Sequence, residues 1–400
     1  MIEQSRTPVD AADRPSLVLS GGGALGAYEV GVVQYVAQHI LPELPPLGLG
    51  YICGTSIGAI NAGFVAGFSH DLQRGVRAMA EVWKTLALQK VIPIRSGNLL
   101  SMLYKPAWAH RNRRDGVADP SHFIHIIVHD IPWLQKRRNL ARGHYAGFAV
   151  ATTRIKDGKS EIFYENHDNA ELYFANDRYT MGTRTQIGPS HVMASSAFPF
   201  LFPPARVREE YYTDGGIRYN TPLSPALRLG ARRMLVVTLT SRGLSHQMIQ
   251  GRVEEYNSPL YLGGKMLQAL LTDQAENELM GAEMFNRLLA AGREQYGEAF
   301  VQQFQEVTRA VRGSPIHPAR ICHLAPSQNV HHMARDAARK LMRKGSVGYL
   351  NRRLLGWLSD SEESELLSVM LIDGSFTGEL IALGYADAKK NHDKIMQCWA

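Results

Sequence analysis

Between Leu17 and Gly58 the chain reads as strand, glycine loop, helix, strand, sharp turn and helix. The glycine loop is Gly21-Gly22-Gly23-Ala24-Leu25-Gly26, directly after the apolar run Leu17-Val18-Leu19. The sharp turn is Gly54-Thr55-Ser56-Ile57-Gly58, after Tyr51-Ile52-Cys53. Residues 16–20 carry no charge, as a strand buried on both faces requires. The helix from about Ala24 sets Val30, Val33, Tyr35 and Val36 beside Gly26, Ala27 and Gly31, small residues that let it lie close to a sheet. Pro42, Pro45 and Pro46 end it. The helix from Ile57 to about Phe68 is small or apolar all round and must be deeply buried. Strand–helix alternation at this spacing predicts right-handed crossovers and an α/β fold, a mainly parallel central sheet flanked by helices.

Further along, Leu72, Val76, Met79, Val82, Trp83 and Leu86 continue a helical period over 71–88. Residues 90–140 mix Pro93, Pro106, Pro120 and Pro132 with apolar pairs, and read as helical excursions and loops, a candidate cap over a site. A strand pair is expected at 145–153 and 161–164, around the turn Lys156-Asp157-Gly158-Lys159. A helix is expected over 186–196, a short strand over 210–213, and a buried strand over 233–240. Long helices follow at 260–289 and 298–312, a last strand at 320–324, and helical stretches at 331–358 and 376–396. Residues 1–15 read as a disordered lead-in, 16–245 as the core, and 246–400 as a mainly helical region packed on the same domain, because a strand returns near 320–324.

The chain has 400 residues, 45% of them hydrophobic and 20% charged, which suits a globular protein with a sizeable core. Cys53, Cys322 and Cys398 are too few and too scattered for a disulfide framework or a metal cluster. No apolar run reaches bilayer-spanning length, and the polar start, Met1 to Arg14, lacks the core of a secretory signal. A cytoplasmic protein is therefore expected. The net charge of +7 is clustered at Arg111, Arg113 and Arg114, at Lys136, Arg137 and Arg138, at Arg339, Lys340, Arg343 and Lys344, and at Arg352 and Arg353. Most of these read as solvated faces. Peripheral contact with anionic lipid is the sharper option, at about 1 kcal/mol per basic residue close to a membrane. Nucleic acid is not expected, since no base-reading module or interleaved aromatics accompany the charge.

Gly21, Gly23 and Gly26 also satisfy the G-x-G-x-x-G fingerprint of dinucleotide sites. That reading needs an acidic residue at the end of the second strand to hold a ribose hydroxyl. Here the strand ends in Cys53-Gly54-Thr55 and runs into a serine elbow. A helix N-terminus with free N–H groups accepts an oxyanion as readily as a phosphate. The elbow therefore favours acyl transfer, with Ser56 as the candidate nucleophile and the glycine loop as anion donor.

Ser56 needs a base. The usual hydrolase order is Ser, Asp, His, and His246, His317, His323, His331 and His332 follow in the chain. That layout, however, places several strands before its elbow, and none of these histidines stands in a distinguishing context. Asp214 does: it ends a short strand and precedes Gly215-Gly216, a pair that allows a tight turn and close backbone approach. Alone, Asp-Gly could equally be a plain chain reversal.

Taken together and in this order, the glycine loop, Gly54-Thr55-Ser56-Ile57-Gly58 and Asp214-Gly215-Gly216 resemble the patatin-like phospholipase family. Ala194-Ser195-Ser196-Ala197-Phe198-Pro199 is similar to that family's A-S-x-A-x-P block. The resemblance covers roughly residues 16–240. It implies a Ser–Asp dyad without histidine: Ser56 as nucleophile and Asp214 as its base. It further implies oxyanion donors at Gly22 and Gly23, with Ile57 alongside, and cleavage of fatty-acyl esters in lipids. No cofactor or metal is called for. One departure is Leu25, where many members carry Arg or Lys. The alternatives are a histidine-dependent esterase, with His323 foremost, and a non-catalytic lipid-binding protein on the same fold. Head group, chain length and oligomeric state are not legible.

Overall fold

The computed structural model describes residues 10–85, 121–168, 171, 177–199, 201–239, 259–343, 356 and 365–400. Among the described residues nine strands form one sheet: β1 (Ser16–Leu19), β2 (Leu49–Thr55), β3 (Tyr145–Arg154), β4 (Ser160–Asn166), β5 (Thr180–Arg184), β6 (Ala205–Val207), β7 (Glu210–Asp214), β8 (Arg233–Val237) and β9 (Arg320–Leu324). Their order is β5-β4-β3-β2-β1-β8-β9, with β7 paired to β3 and β6 to β7. The run from β3 through β2, β1 and β8 to β9 is parallel throughout. The pairs β3–β4, β3–β7 and β6–β7 are antiparallel.

The described helices are α1 (Ala27–Tyr35), α2 (Ile57–Gly67), α3 (Leu72–Thr85), α4 (Ser121–His125), α5 (Trp133–Ala141), α6 (Pro189–Ser195), α7 (Leu223–Leu229), α8 (Pro259–Tyr296), α9 (Glu298–Arg312), α10 (Val330–Arg343), α11 (Glu365–Met370), α12 (Gly374–Lys390) and α13 (His392–Trp399). Side chains alternate across the central strands. Leu17 and Leu19 of β1 join a large core with α1, α2, α3 and the C-terminal helices. Val18 joins a smaller core on the opposite face with Leu223, Ala226 and Ala231. Every residue of α2 is buried, as its small and almost wholly apolar sequence requires, and Asn61, its one polar residue, donates to the Gly26 carbonyl at 2.9 Å.

The strand pair at 145–164 forms as an antiparallel β3–β4 ladder, and β9 adds to the sheet beside β8, so residues beyond 245 extend the core. α12 lies across α1. A Cβ on Gly31 would run into the Ile381 carbonyl and one on Gly384 into the Tyr28 carbonyl, while the Tyr28 hydroxyl donates to Asp387 at 3.1 Å. Gly31 thus serves a helix–helix crossing rather than contact with the sheet.

Several boundaries differ from the sequence reading. Residues 10–15 are not part of a loose lead-in: Ala11–Asp13 forms a 3-10 turn capped by Asp10, and the Arg232 N–H donates to the Ala12 carbonyl at 2.9 Å. α6 starts at Pro189, not 186, because proline suits the first helical position after Gly188. β8 ends at Val237. Lys136 is no surface charge. It is completely buried, ion-paired with Glu165, and donates to the Ile187 carbonyl at 2.6 Å. The three cysteines are buried and form no disulfide. Residues 1–9, the 90–120 part of the candidate cap, His246, and Arg111, Arg113, Arg114, Lys344, Arg352 and Arg353 lie outside the described residues.

Candidate active site

The register of β3 brings the two halves of the site together. β2 runs parallel to β3 and ends with Thr55 opposite Ala151. β7 runs antiparallel to β3 and ends with Asp214 opposite Thr152. Two strands therefore meet end to end along β3, and the residues at the junction, Ser56 and Asp214, are neighbours although far apart in the chain. The Ser56 Oγ donates to Asp214 Oδ2 at 2.5 Å.

Ser56 has φ 54°, a left-handed conformation that strains any residue but glycine. The strain follows from turning straight from β2 into α2. The flanking glycines make room: a Cβ on Gly54 would strike the Gly58 carbonyl, and one on Gly58 the Leu19 carbonyl. The turn leaves the Ser56 hydroxyl at a cleft wall, with its N–H bonded to Ser195 Oγ at 2.9 Å.

Asp214 is 1% exposed. Its Oδ1 accepts from the Gly216 N–H at 2.7 Å, its carbonyl from Thr153 Oγ1 at 2.9 Å, and its N–H donates to the Ala197 carbonyl at 3.0 Å. Gly215 passes so close to β3 that a Cβ would meet the Ala151 carbonyl. Burial pushes the Asp214 carboxyl up to about 7, against the opposing pull of the Ser56 hydroxyl and the Gly216 N–H. A carboxylate this basic can take a proton near neutral pH.

The glycine loop turns at the carboxyl end of β1. Gly22 precedes the 3-10 turn Gly23–Gly26, with no side chain capping it. The leading N–H groups of such a turn, and that of Ile57 at the start of α2, have no acceptor within their own helix. Gly22, Gly23, Ser56 and Ile57 all line the same cleft. Gly23 needs its glycine, at φ +57° and with the Val369 carbonyl and side chain where a Cβ would stand. A Cβ on Gly21 would meet Asn220 and Ser56, and one on Gly26 the Ile57 side chain. Leu25 is 2% exposed and belongs to the large core, so its position does not face the cleft.

The cleft holds about 260 Å³ and is walled mainly by apolar side chains, among them Phe123, Ile127, Met193, Phe202, Val369 and Ile372. Phe123 and Ile127 come from the described end of the candidate cap. Val369 and Ile372 come from the C-terminal region, which the sequence left without a role. Among the described residues, none of the histidines expected as partners lines the cleft. His323 sits on β9, three strands from β2, roughly 14 Å at the usual strand spacing, with its Nε2 2.7 Å from Thr238 Oγ1. His331 Nδ1 lies 2.9 Å from Ser368 Oγ, and His317 contacts Gln305. Sequence reasoning missed the supporting roles of Ser195, Ser196 and Thr153. The A-S-S-A block carried a signal for the first two; nothing marked Thr153.

A mostly parallel sheet flanked by helices, with a serine elbow and a glycine loop at the strand ends, defines an α/β protein. The patatin-like phospholipase family model matches residues 17–227, just over half of the chain, and the chain belongs to that family. Its sheet and flanking helices are the patatin fold, with a helical C-terminal region added, and the family acts on lipids. No curated protein sequence matches the chain. Among solved structures, VipD from Legionella pneumophila is similar at a TM-score of 0.30 and 13% identity, over 92% of this chain and 67% of that one. No described helix is long and apolar enough to cross a membrane.

Proposed function

We propose that this protein is a serine lipid acyl hydrolase working through a Ser56–Asp214 dyad. The observation that carries the reading is the 2.5 Å hydrogen bond from Ser56 Oγ to a buried, basic Asp214 on the wall of an apolar cleft. An ester carbonyl enters against the glycine loop, with its acyl chain among the apolar walls. Ser56 Oγ attacks the carbonyl carbon and its proton passes to Asp214 Oδ2. The oxyanion is held by the N–H groups of Gly22 and Gly23, with Ile57 at the positive end of α2. Collapse of the tetrahedral intermediate breaks the bond to the alcohol, which leaves with the proton from Asp214. Water then attacks the acyl-enzyme, gives its proton to Asp214, and frees the fatty acid, while Ser56 recovers its hydrogen.

Arg206 is the cation that lines the cleft among the described residues, and it suits an anionic group on the substrate. A cytoplasmic location with peripheral membrane contact belongs to the same proposal. The test is hydrolysis of p-nitrophenyl butyrate by wild type, Ser56→Ala, Asp214→Asn and His323→Ala. The reading expects the first two variants to be inactive and His323→Ala to be active. Full activity in Ser56→Ala would overturn it. An inactive His323→Ala beside an active Asp214→Asn would restore the histidine-dependent alternative.

A further inference from the structure

One short segment grips both sides of the Ser56–Asp214 pair. Ser195 is fully buried, and its hydroxyl donates to the Ala151 carbonyl at 2.7 Å. Its only proton is used there, so a lone pair faces the Ser56 N–H at 2.9 Å. The Ser196 hydroxyl lies 3.0 Å from the Ser56 carbonyl and 2.9 Å from the Val192 carbonyl, sharing one proton between them. The Ala197 carbonyl accepts the Asp214 N–H at 3.0 Å and the Thr213 hydroxyl at 2.8 Å. Three consecutive residues thus fix the backbone before, at and beyond the junction on β3. A strained residue such as Ser56 persists only where its surroundings over-determine it.

We propose that Ser195 and Ser196 are positioning residues that hold the strained Ser56 elbow at the separation from Asp214 which proton transfer requires. This rests on Ser56 being the nucleophile. The competing account is two satisfied hydroxyls that only stabilise the fold, and the molecule supplies a reference for it. Ser16 is also fully buried, accepts the Tyr51 N–H at 2.9 Å and donates to the Arg14 carbonyl at 3.3 Å, but at the opposite end of β2.

The experiment compares full-length wild type, Ser56→Ala, Ser195→Ala, Ser196→Ala and Ser16→Ala by thermal unfolding, by kcat and KM on p-nitrophenyl butyrate, and by pH–rate profile. Misplacement of the elbow is expected to lower kcat of Ser195→Ala on the order of 10²-fold with KM little changed. Ser16→Ala is expected to lose similar thermal stability while kcat stays within about two-fold. Among the described residues, no charged group lies within ion-pair distance of the Asp214 carboxyl, which faces the Ser56 hydroxyl and the Gly216 N–H. The Ser56 bond lowers the pKa of Asp214, so weakening it should move the acid limb of Ser195→Ala to higher pH. A purely structural hydroxyl would leave that limb in place. Should Ser195→Ala not fold, Ser196→Ala at its half-buried position carries the test, with about tenfold loss of kcat and the same direction of shift. Equal kcat losses in Ser195→Ala and Ser16→Ala, or unchanged kcat and acid limb in the folded variants, would overturn the proposal. An inactive Ser56→Ala beside fully active Ser195→Ala and Ser196→Ala would overturn this proposal alone; an active Ser56→Ala would remove the hydrolase reading as well.

Discussion

Asp214 and Lys136 are both ionisable side chains sealed from water, and burial pushes each toward its neutral form. They differ in what faces them. Lys136 has a counter-charge in Glu165, whose carboxylate also takes the Tyr145 hydroxyl at 3.2 Å and the Ile187 N–H at 3.0 Å, and Phe148 covers the ammonium. The Lys136 site is closed and its charges cancel. Asp214 is met by two neutral donors and opens onto a cleft. Burial with a counter-charge makes structure; burial beside a cavity with only neutral donors leaves a carboxyl that titrates near neutral pH. The two sites should therefore fail in different currencies when mutated.

The largest effect should come at the cleft. On the proposed mechanism Ser56→Ala and Asp214→Asn are expected to lower kcat for ester hydrolysis on the order of 10⁴–10⁶-fold, the scale seen when a serine hydrolase loses a catalytic residue. Both should stay folded by circular dichroism. Lys136→Met should do the reverse. It leaves the Glu165 carboxylate buried and unpaired, at a cost of about 3–5 kcal/mol in urea unfolding. Activity per folded molecule should hold, and adding Glu165→Leu should recover most of the stability. If Lys136→Met unfolds no more easily than wild type, the contrast between the sites collapses.

A third prediction uses pH to separate them further. Asp214 binds its proton more tightly folded, at about 7, than unfolded, near 3.9. The native state therefore loses stability as pH rises from about 4 to about 7, and the penalty, a few kcal/mol at most, is complete above that range. Asp214→Asn removes it, so this variant should be more stable than wild type at pH 8 and no more stable at pH 4. On the proposed mechanism catalysis runs oppositely, since a base must be ionised: kcat/KM should rise through an acid limb centred near pH 7. A wild-type limb near pH 4 would mean that Asp214 is not the base.

How far the sequence revealed these sites depends on how each is encoded. The cleft site uses local punctuation: Gly54 and Gly58 around Ser56, the glycine loop, and Gly215-Gly216 after Asp214, each imposed by a close backbone approach. Such constraints leave a mark within a few residues. What joined the pieces was not local. The β3 register that sets Thr55 and Asp214 on adjacent residues, Ala151 and Thr152, is a pairing no short window contains. The same holds for Val369 and Ile372 reaching the cleft from the C-terminal region. Lys136 was misread for a related reason. It sits in the basic run with Arg137 and Arg138, and the partner that draws it inward, Glu165, lies on β4.

That misreading gives the smallest and sharpest test. Arg138 has the same charge two residues on, and the turn of α5 carries it to the exposed face. Composition treats Lys136 and Arg138 alike; helical geometry does not. Arg138→Ala should change unfolding stability by no more than about 0.5 kcal/mol, as exposed substitutions away from special features do. Paired with the multi-kcal loss expected for Lys136→Met, a near-zero result would show that the direction a side chain faces on the helix, rather than membership of a basic cluster, decides its role. An Arg138→Ala loss approaching that of Lys136→Met would point instead to the cluster acting as a unit on the fold, and Lys136 would then no longer serve as the structural counterpart of Asp214.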